Sequence, residues 1–357
     1  MPYPFADFYQ GKRVLVSGHT GFVGGWLAAW LKLLGAKVCG YGPPPSTRPN
    51  FFDATLLDRG MTSIFGDLRN REALANVYAE FQPEIVIHYA AQISPQRARL
   101  DPVEAFATNV MGTVHVLEET RYIDSVRAVV LANSDQCYAN RDSFGGHREE
   151  DALGGHDPYS SSAACVELAA STYIGEFFHN TKTAIATART GSVIGGGDWA
   201  EGEVIPDIVR GITGTKPIVI PEASAVKMWQ HVLEPVRVHL LLAQRLYEQG
   251  QEFSGAWNFA PLDENTITHR RLAESFLEHW SAGVLASEAD ESVLPAQPVF
   301  RLNTHKAQTR LGWQPTLPLE QAIAWTFEWY NAFYADPSSS WRTTEDQIHS
   351  YMRSSGG

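Results

Sequence analysis

The chain has 357 residues, 44% hydrophobic and 19% charged, a globular balance that excludes global disorder and fits one large or two intimate domains. Lys and Arg total 28 against 40 Asp and Glu, a formal charge of -12, which repels phosphate backbones and anionic membranes and points away from nucleic acid. No apolar run reaches the ~18 residues of a membrane helix. The opening MPYPFADFYQ lacks the basic start and apolar stretch of a signal peptide, so a cytosolic protein is expected.

Arg13-Val14-Leu15-Val16-Ser17 reads as a strand running into a glycine-rich turn, and Trp26 to Leu34 continues with helical spacing. Lys37 to Tyr41 reads as the next strand, closed by Gly42-Pro43-Pro44-Pro45. Further strands are expected at Thr62–Phe65, Ile85–Tyr89, Ala128–Ala132 and Ala184–Ala188, with helices near 70–81, 102–122 and 159–178 between them. Strands that are apolar throughout and alternate with helices predict an α/β fold, a Rossmann-type doubly wound parallel sheet covered on both faces.

After about residue 190 the alternation weakens. Helices are expected at 204–213, 234–248, 269–281 and 319–335. The polar stretch 341–357 reads as a frayed tail. The expected division is a cofactor domain over 1–190, with its core at 10–190. A smaller substrate domain follows over 191–340, some of its elements returning to the sheet, with a cleft between the two parts.

Gly18-His19-Thr20-Gly21-Phe22-Val23-Gly24 carries glycines at i, i+3 and i+6 between the first strand and the first helix. Glycine allows the tight turn and close backbone approach there, and a helix N-terminus offers N–H groups to a pyrophosphate. An acid that would grip the adenosine ribose is missing at Tyr41-Gly42, so NAD and NADP both stay open. Asp67, just after the third strand, is placed to reach the adenine edge or to cap the helix over 69–81. Cys39, Cys137 and Cys165 form no CxxC pair and are expected as packed, reduced thiols. Cys137 stands two residues after Asp135 but shows no adjacent base. The 12 His residues include no HExxH, and His19, His88 and His231 lack metal-ligand spacing, so no metal site is expected. Trp229 and Trp313 read as packing residues.

The loop GHTGFVGGWL, Tyr89-Ala90-Ala91-Gln92, Asn109-Val110-Met111-Gly112-Thr113 and Asp157-Pro158-Tyr159-Ser160-Ser161-Ser162 occur in the order seen in extended short-chain dehydrogenase/reductases. Arg189 to Trp199 (RTGSVIGGGDW) and Trp229 to Pro235 (WQHVLEP) narrow the resemblance to the CDP-glucose 4,6-dehydratase branch of the NAD-dependent epimerase/dehydratase family, over roughly residues 10–335. The resemblance implies a seven-stranded sheet, a recycled NAD or NADP, a nucleotide-sugar substrate, and a homodimer formed by the helices near 102–122 and 159–178. It assigns Gly18, Thr20, Gly21, Phe22, Val23, Gly24, Asp67, Leu68, Ala90, Ala91, Asn109 and Tyr159 to the cofactor. Gln92, Ser192, Trp199, Val204, Lys227, Gln230 and His231 fall to the substrate.

The family's chemistry implies a Tyr that takes the sugar 4-hydroxyl proton, a Lys four residues later that lowers the Tyr pKa, a Ser or Thr that holds the hydroxyl, and an acid/base pair that removes water. Tyr159, Ser134 and Asp135 match three of these roles. Gln136 stands where relatives carry Lys or Glu, and an amide is a very poor base. Ala163 stands at the lysine of the Tyr-x-x-x-Lys pattern. Val23 replaces a lysine of the glycine-rich loop, Pro221 falls near an expected arginine, and Ser192 stands for the usual Asn. Three readings follow: a dehydratase of the CDP-glucose type, a relative acting on another activated sugar as epimerase or dehydratase, and a catalytically impaired homologue that binds cofactor without turnover.

Overall fold

The computed structural model describes residues 5, 7–139, 145–214, 218, 220, 222–261, 265–280 and 301–355. Seven strands, β1 (Arg13–Ser17), β2 (Lys37–Gly42), β3 (Thr62–Phe65), β4 (Ile85–His88), β5 (Ala128–Ser134), β6 (Ala184–Thr190) and, after an interval, β9 (Gly255–Phe259), form one sheet. Its order is β3-β2-β1-β4-β5-β6-β9 and every neighbouring pair is parallel. The central strand β4 is buried throughout, and β5 over Ala128 to Leu131. That is why their sequences are continuous apolar runs rather than alternating ones.

The crossovers are helical: α1 (Phe22–Leu33), the short α2 (Phe51–Ala54), α3 (Arg71–Phe81), α4 (Pro95–Leu100), α5 (Pro102–Phe106), α6 (Gly112–Thr120) and α7 (Pro158–Tyr173). Residues 107–111 join α5 to α6 as a π-helical turn, so the expected helix near 102–122 is continuous but locally widened. Asn70 caps α3, accepting from the Ala73 N–H at 3.1 Å. Asp67 instead accepts from the Arg69 backbone and guanidinium, so the alternative of an Asp67 cap is set aside.

The C-terminal part contributes α8 (Val204–Thr213), α9 (Leu233–Gln249), α10 (His269–Trp280), α11 (Leu319–Ala335) and α12 (Ser340–Ser354). It also holds a small sheet of order β10-β8-β7, made of β7 (Ser192–Ile194), β8 (Val226–His231) and β10 (Thr266–Thr268). β9 and α9 return to the large sheet, and one apolar cluster runs from Val14 and Trp26 through Trp229 to Trp329 and Tyr351. A second cluster, with Leu15, Leu74, Leu117 and Ile185, fills the opposite face. The expected frayed tail is corrected over its described part. Ile348, Tyr351 and Met352 are buried, an i, i+3, i+4 stripe that seals α12 over α1, with Tyr351 edge-on to Trp30 at 5.6 Å. Polar residues around that stripe hid it. Among the described residues no helix is long and apolar enough to cross a membrane.

Candidate active site

At the end of β1 the chain turns through Gly18, whose φ is +79°. A Cβ on Gly18 would stand 2.7 Å from the Ala90 nitrogen, and one on Gly24 would meet the Gly18 carbonyl oxygen. Both glycines are therefore required by backbone contact. Gly21 caps α1 without a side-chain hydrogen bond, which leaves the first N–H groups of the helix, those of Phe22 and Val23 among them, directed outward. The Thr20 hydroxyl donates to Pro43 O at 2.8 Å. Below the loop, Ser17 Oγ, His88 and Thr113 form a buried chain at 2.6 and 3.1 Å, and burial holds His88 down at about 4, so it is neutral.

The β4 end is braced rather than open. Asn109 Oδ1 accepts from the Gln92 N–H at 2.7 Å, while its amide donates to Gln92 O and to Ser162 Oγ, both at 2.9 Å. Asn109 thus fastens the Ala90-Ala91-Gln92 loop to α7. Gln92 Oε1 is buried with no hydrogen-bond partner among the described residues, an acceptor that a bound ligand can satisfy. Leu68 packs in the core near Gly112. The cradle formed by Gly18, Gly21 and Gly24, the uncapped α1 and the orphaned Gln92 acceptor fit a dinucleotide lying across the β1 and β4 ends.

Ser134 and Asp135 leave the end of β5, and Tyr159 opens α7. Pro158 occupies the first helical position, and Asp157 accepts from the Tyr159 and Ser160 N–H groups while Ser160 Oγ returns to Asp157. This capping box fixes the tyrosine at the helix mouth. The Ser134 hydroxyl donates to Asp135 Oδ1 at 3.2 Å and accepts from the Gln136 N–H at 3.1 Å. Burial pushes the Tyr159 phenol up to about 12; a hydrogen bond with Ser134 works against the rise, and the carboxylates of Asp135, Glu203 and Asp157 add to it. Burial likewise raises Asp135 to about 6, opposed by the positive charge of Lys227. The expected trio of Ser134, Asp135 and Tyr159 is brought together.

Ala163 lies one turn below Tyr159, 5% exposed, packed with Cys137, Tyr138 and Met228. Its carbonyl accepts from Asn133, whose amide also reaches Glu167. No ammonium is supplied from this position. Cys137 is buried, and burial raises its thiol far from the thiolate range, as a packing residue requires.

The residues expected at the substrate separate into two groups. Ser192 pairs with Trp229 across β7 and β8, and Val204 lines a small pocket with Glu203, Asp198 and Trp229. Lys227 stands on β8 with its ammonium 5.8 Å from the Trp229 ring. Trp199 and His231, by contrast, are core residues. Trp199 packs on Trp329, Tyr330 and Phe333, and His231 is fully buried between Trp26 and Trp325. Gln230 is buried with its amide nitrogen unpartnered. Pro221 lies outside the described residues. Glu203, absent from the sequence reading, proves to be half-buried in the cleft; its position beside Val204 in the same segment was the available signal.

Residues 14–257 match the family model described as NAD dependent epimerase/dehydratase family. The chain is 40% identical over 332 residues to CDP-glucose 4,6-dehydratase of Salmonella typhimurium, covering 92% of each. It is 26% identical to dTDP-glucose 4,6-dehydratase of Streptomyces antibioticus, over 89% of this chain and 92% of that one. Among solved structures, UDP-glucose 4-epimerase of Thermotoga maritima with UDP-glucose superposes with a TM-score of 0.76 at 20% identity, over 90% of this chain and 99% of that one. The Brucella ovis UDP-glucose 4-epimerase in complex with NAD gives 0.74 at 20%, over 88% and 97%.

Proposed function

Since the chain belongs to the NAD-dependent epimerase/dehydratase family, we propose that it is a nucleotide-sugar 4,6-dehydratase of the CDP-glucose type. The observation that carries this reading is the convergence of Ser134, Asp135 and Tyr159 at the β5 and α7 ends, with Asp135 raised to about 6. Gly18, Gly21, Phe22, Val23 and Gly24 would hold the cofactor pyrophosphate, and Asp67, Leu68, Ala90 and Ala91 would flank its adenosine half. NAD held there would supply reversible hydride chemistry, the redox part of a 4,6-dehydration. Tyr159 receives the 4-hydroxyl proton while Ser134 holds that oxygen. Asp135, raised to about 6 and so about one tenth protonated at pH 7, gives its proton to the departing 6-hydroxyl.

The test is incubation with NAD or NADP and CDP-, dTDP- and UDP-glucose, followed by mass spectrometry. Loss of one water from CDP-glucose, with a carbonyl gained at carbon 4, is expected. Cofactor binding without conversion of any of the three would overturn the dehydratase reading. Ala163 and Gln136 favour that second reading, a homologue that holds cofactor but does not complete dehydration. The proposal includes a homodimer, supported by the exposed apolar residues Leu100, Val103 and Leu168 on α4, α5 and α7. Light scattering at the mass of one chain would remove it. It also includes a cytoplasmic setting, in keeping with three unpaired cysteines.

A further inference from the structure

We propose that Glu203 is the base that takes the sugar carbon-5 proton, in place of the amide at Gln136, and that Lys227 on β8 is its positioning residue. This rests on the dehydratase reading, which needs a proton acceptor opposite Asp135 and finds none at position 136.

Three elements bring the groups to one space. A Cβ on Gly191 would stand 3.1 Å from Asp135 Oδ2 and 3.7 Å from the Met228 carbonyl oxygen, so β8 passes beside the acid. Side chains alternate along a strand. Met228 turns into the cluster with Cys137, Tyr138 and Ala163, and Lys227 and Trp229 share the other face. Trp229 and Glu203 line the same pocket. Glu203 precedes α8 without spending its carboxylate on the helix cap, which leaves that carboxylate available. The charges of this space register on one another. Lys227 acts on both Asp135 and Glu203, and Glu203 acts on the Tyr159 phenol and on Asp198. Asp207 is the remaining carboxylate that bears on Glu203. Burial raises the Glu203 pKa and Lys227 opposes the rise, giving a carboxylate more basic than an exposed one.

The proton balance closes on these residues. With a carbonyl at carbon 4, the carbon-5 proton is acidified and passes to the Glu203 carboxylate. The C–H electron pair becomes the double bond between carbons 5 and 6, the C6–O bond breaks, and the oxygen leaves as water with the Asp135 proton. With the hydride that the cofactor would return to carbon 6, Glu203, its proton exchanged with solvent, protonates carbon 5, and Asp135 is reprotonated from solvent.

The experiment uses the full chain in deuterium oxide with CDP-glucose. It reads deuterium at carbon 5 by mass spectrometry and, separately, the absorbance of reduced cofactor in a single turnover. Glu203→Gln is expected to cut carbon-5 exchange by roughly 100-fold while the reduced-cofactor signal persists, and Glu203→Asp should fall between it and the parent. Lys227→Met should move the lower limb of the exchange pH profile upward, with Lys227→Arg restoring it. Infrared difference titration of the cofactor-free protein supplies an activity-independent readout: a carboxylate band removed by Glu203→Gln should titrate at higher pH in Lys227→Met. Parental exchange in Glu203→Gln, or a Glu203 band indifferent to Lys227, overturns the inference. A parent that reduces no cofactor with any nucleotide sugar overturns instead the dehydratase reading on which it stands.

Discussion

The two ends of the cleft meet their requirements by different means. The cofactor end is made of backbone: glycines where a Cβ would strike Ala90 or Gly18, an uncapped helix, and an Asn109 brace whose three hydrogen bonds all stay within the protein. The catalytic end is made of side-chain charge, and there the family pattern has been altered, with Ala163 and Gln136 neutral while the charges of Asp135, Glu203 and Lys227 bear on one another. A backbone cradle tolerates almost no substitution at Gly18 or Gly24, because an added atom there collides. A charged constellation can be rebuilt from neighbouring elements, because what reaches the substrate is a field and a proton.

The contrast breaks first at the cradle. Gly24→Val places a branched side chain where even a Cβ would overlap the Gly18 carbonyl oxygen, so calorimetry should show NAD affinity weakened by at least about 100-fold, or roughly 3 kcal/mol. Parental affinity in that variant would move the dinucleotide elsewhere. A comparably large effect is expected behind the catalytic end. Arg189 and Glu167 pair at 2.7 Å with side chains 3% and 4% exposed, and Tyr138, Thr187 and Asn133 complete their hydrogen bonds. Glu167→Gln removes one charge of a buried pair and should lower stability by about 3–5 kcal/mol in denaturant titration. A loss below 1 kcal/mol would show that the pair is not what positions α7 under Tyr159.

The same division explains what could be read from the residues alone. The parallel sheet was legible because apolar runs bounded by turn residues have one physical outlet, burial on both faces. The glycine loop was legible because its spacing sits between a strand and a helix. Trp199 and His231 were expected at the substrate, yet motif membership does not say which side of a segment faces the cleft. Their rings are sealed by Trp329, Tyr330, Trp26 and Trp325, residues far away in the chain. Glu203 was passed over for the opposite reason. A carboxylate before a helix resembles an ordinary solvated cap, and nothing local in the sequence tells that it lines a pocket with Trp229 of β8. The α12 stripe shows the limit of composition, since Ile348, Tyr351 and Met352 are few among polar neighbours but fall on one helical face.

The comparison sharpens through pH. Asp135 must be protonated to act as acid, and burial sets it at about 6, so the elimination step should fall about tenfold for each pH unit above that value. Asp135→Asn should abolish both the step and this slope. The sign for folding is the reverse of the usual carboxylate. The native state holds the proton more tightly than the unfolded chain, so this group adds stability as pH falls from about 6 toward the ordinary carboxylate range. An elimination rate that instead rises from pH 6 to 8 would assign the acid to another residue.

The most modest effect is expected from restoring the missing lysine. Tyr159 sits at about 12 because burial and three carboxylates disfavour the phenolate, and an ammonium one helical turn away would favour it. One to two pKa units correspond to about 1.4–2.7 kcal/mol, or about tenfold to 100-fold in the phenolate population at neutral pH. The position resists part of this gain. Ala163 is packed among Cys137, Tyr138 and Met228, so a lysine there must lift its ammonium out of an apolar cluster and displace neighbours, at a cost of about 1–3 kcal/mol in stability. Ala163→Lys should therefore speed formation of reduced cofactor by about tenfold at pH 7, lower the chain's denaturation midpoint, and leave carbon-5 exchange dependent on Glu203. Gln136→Lys, added to it, should raise overall dehydration only if Glu203 is not already the base. A double variant that dehydrates no faster than Ala163→Lys, yet still loses exchange with Glu203→Gln, would show that the catalytic end has been rebuilt from β8 and the α8 mouth.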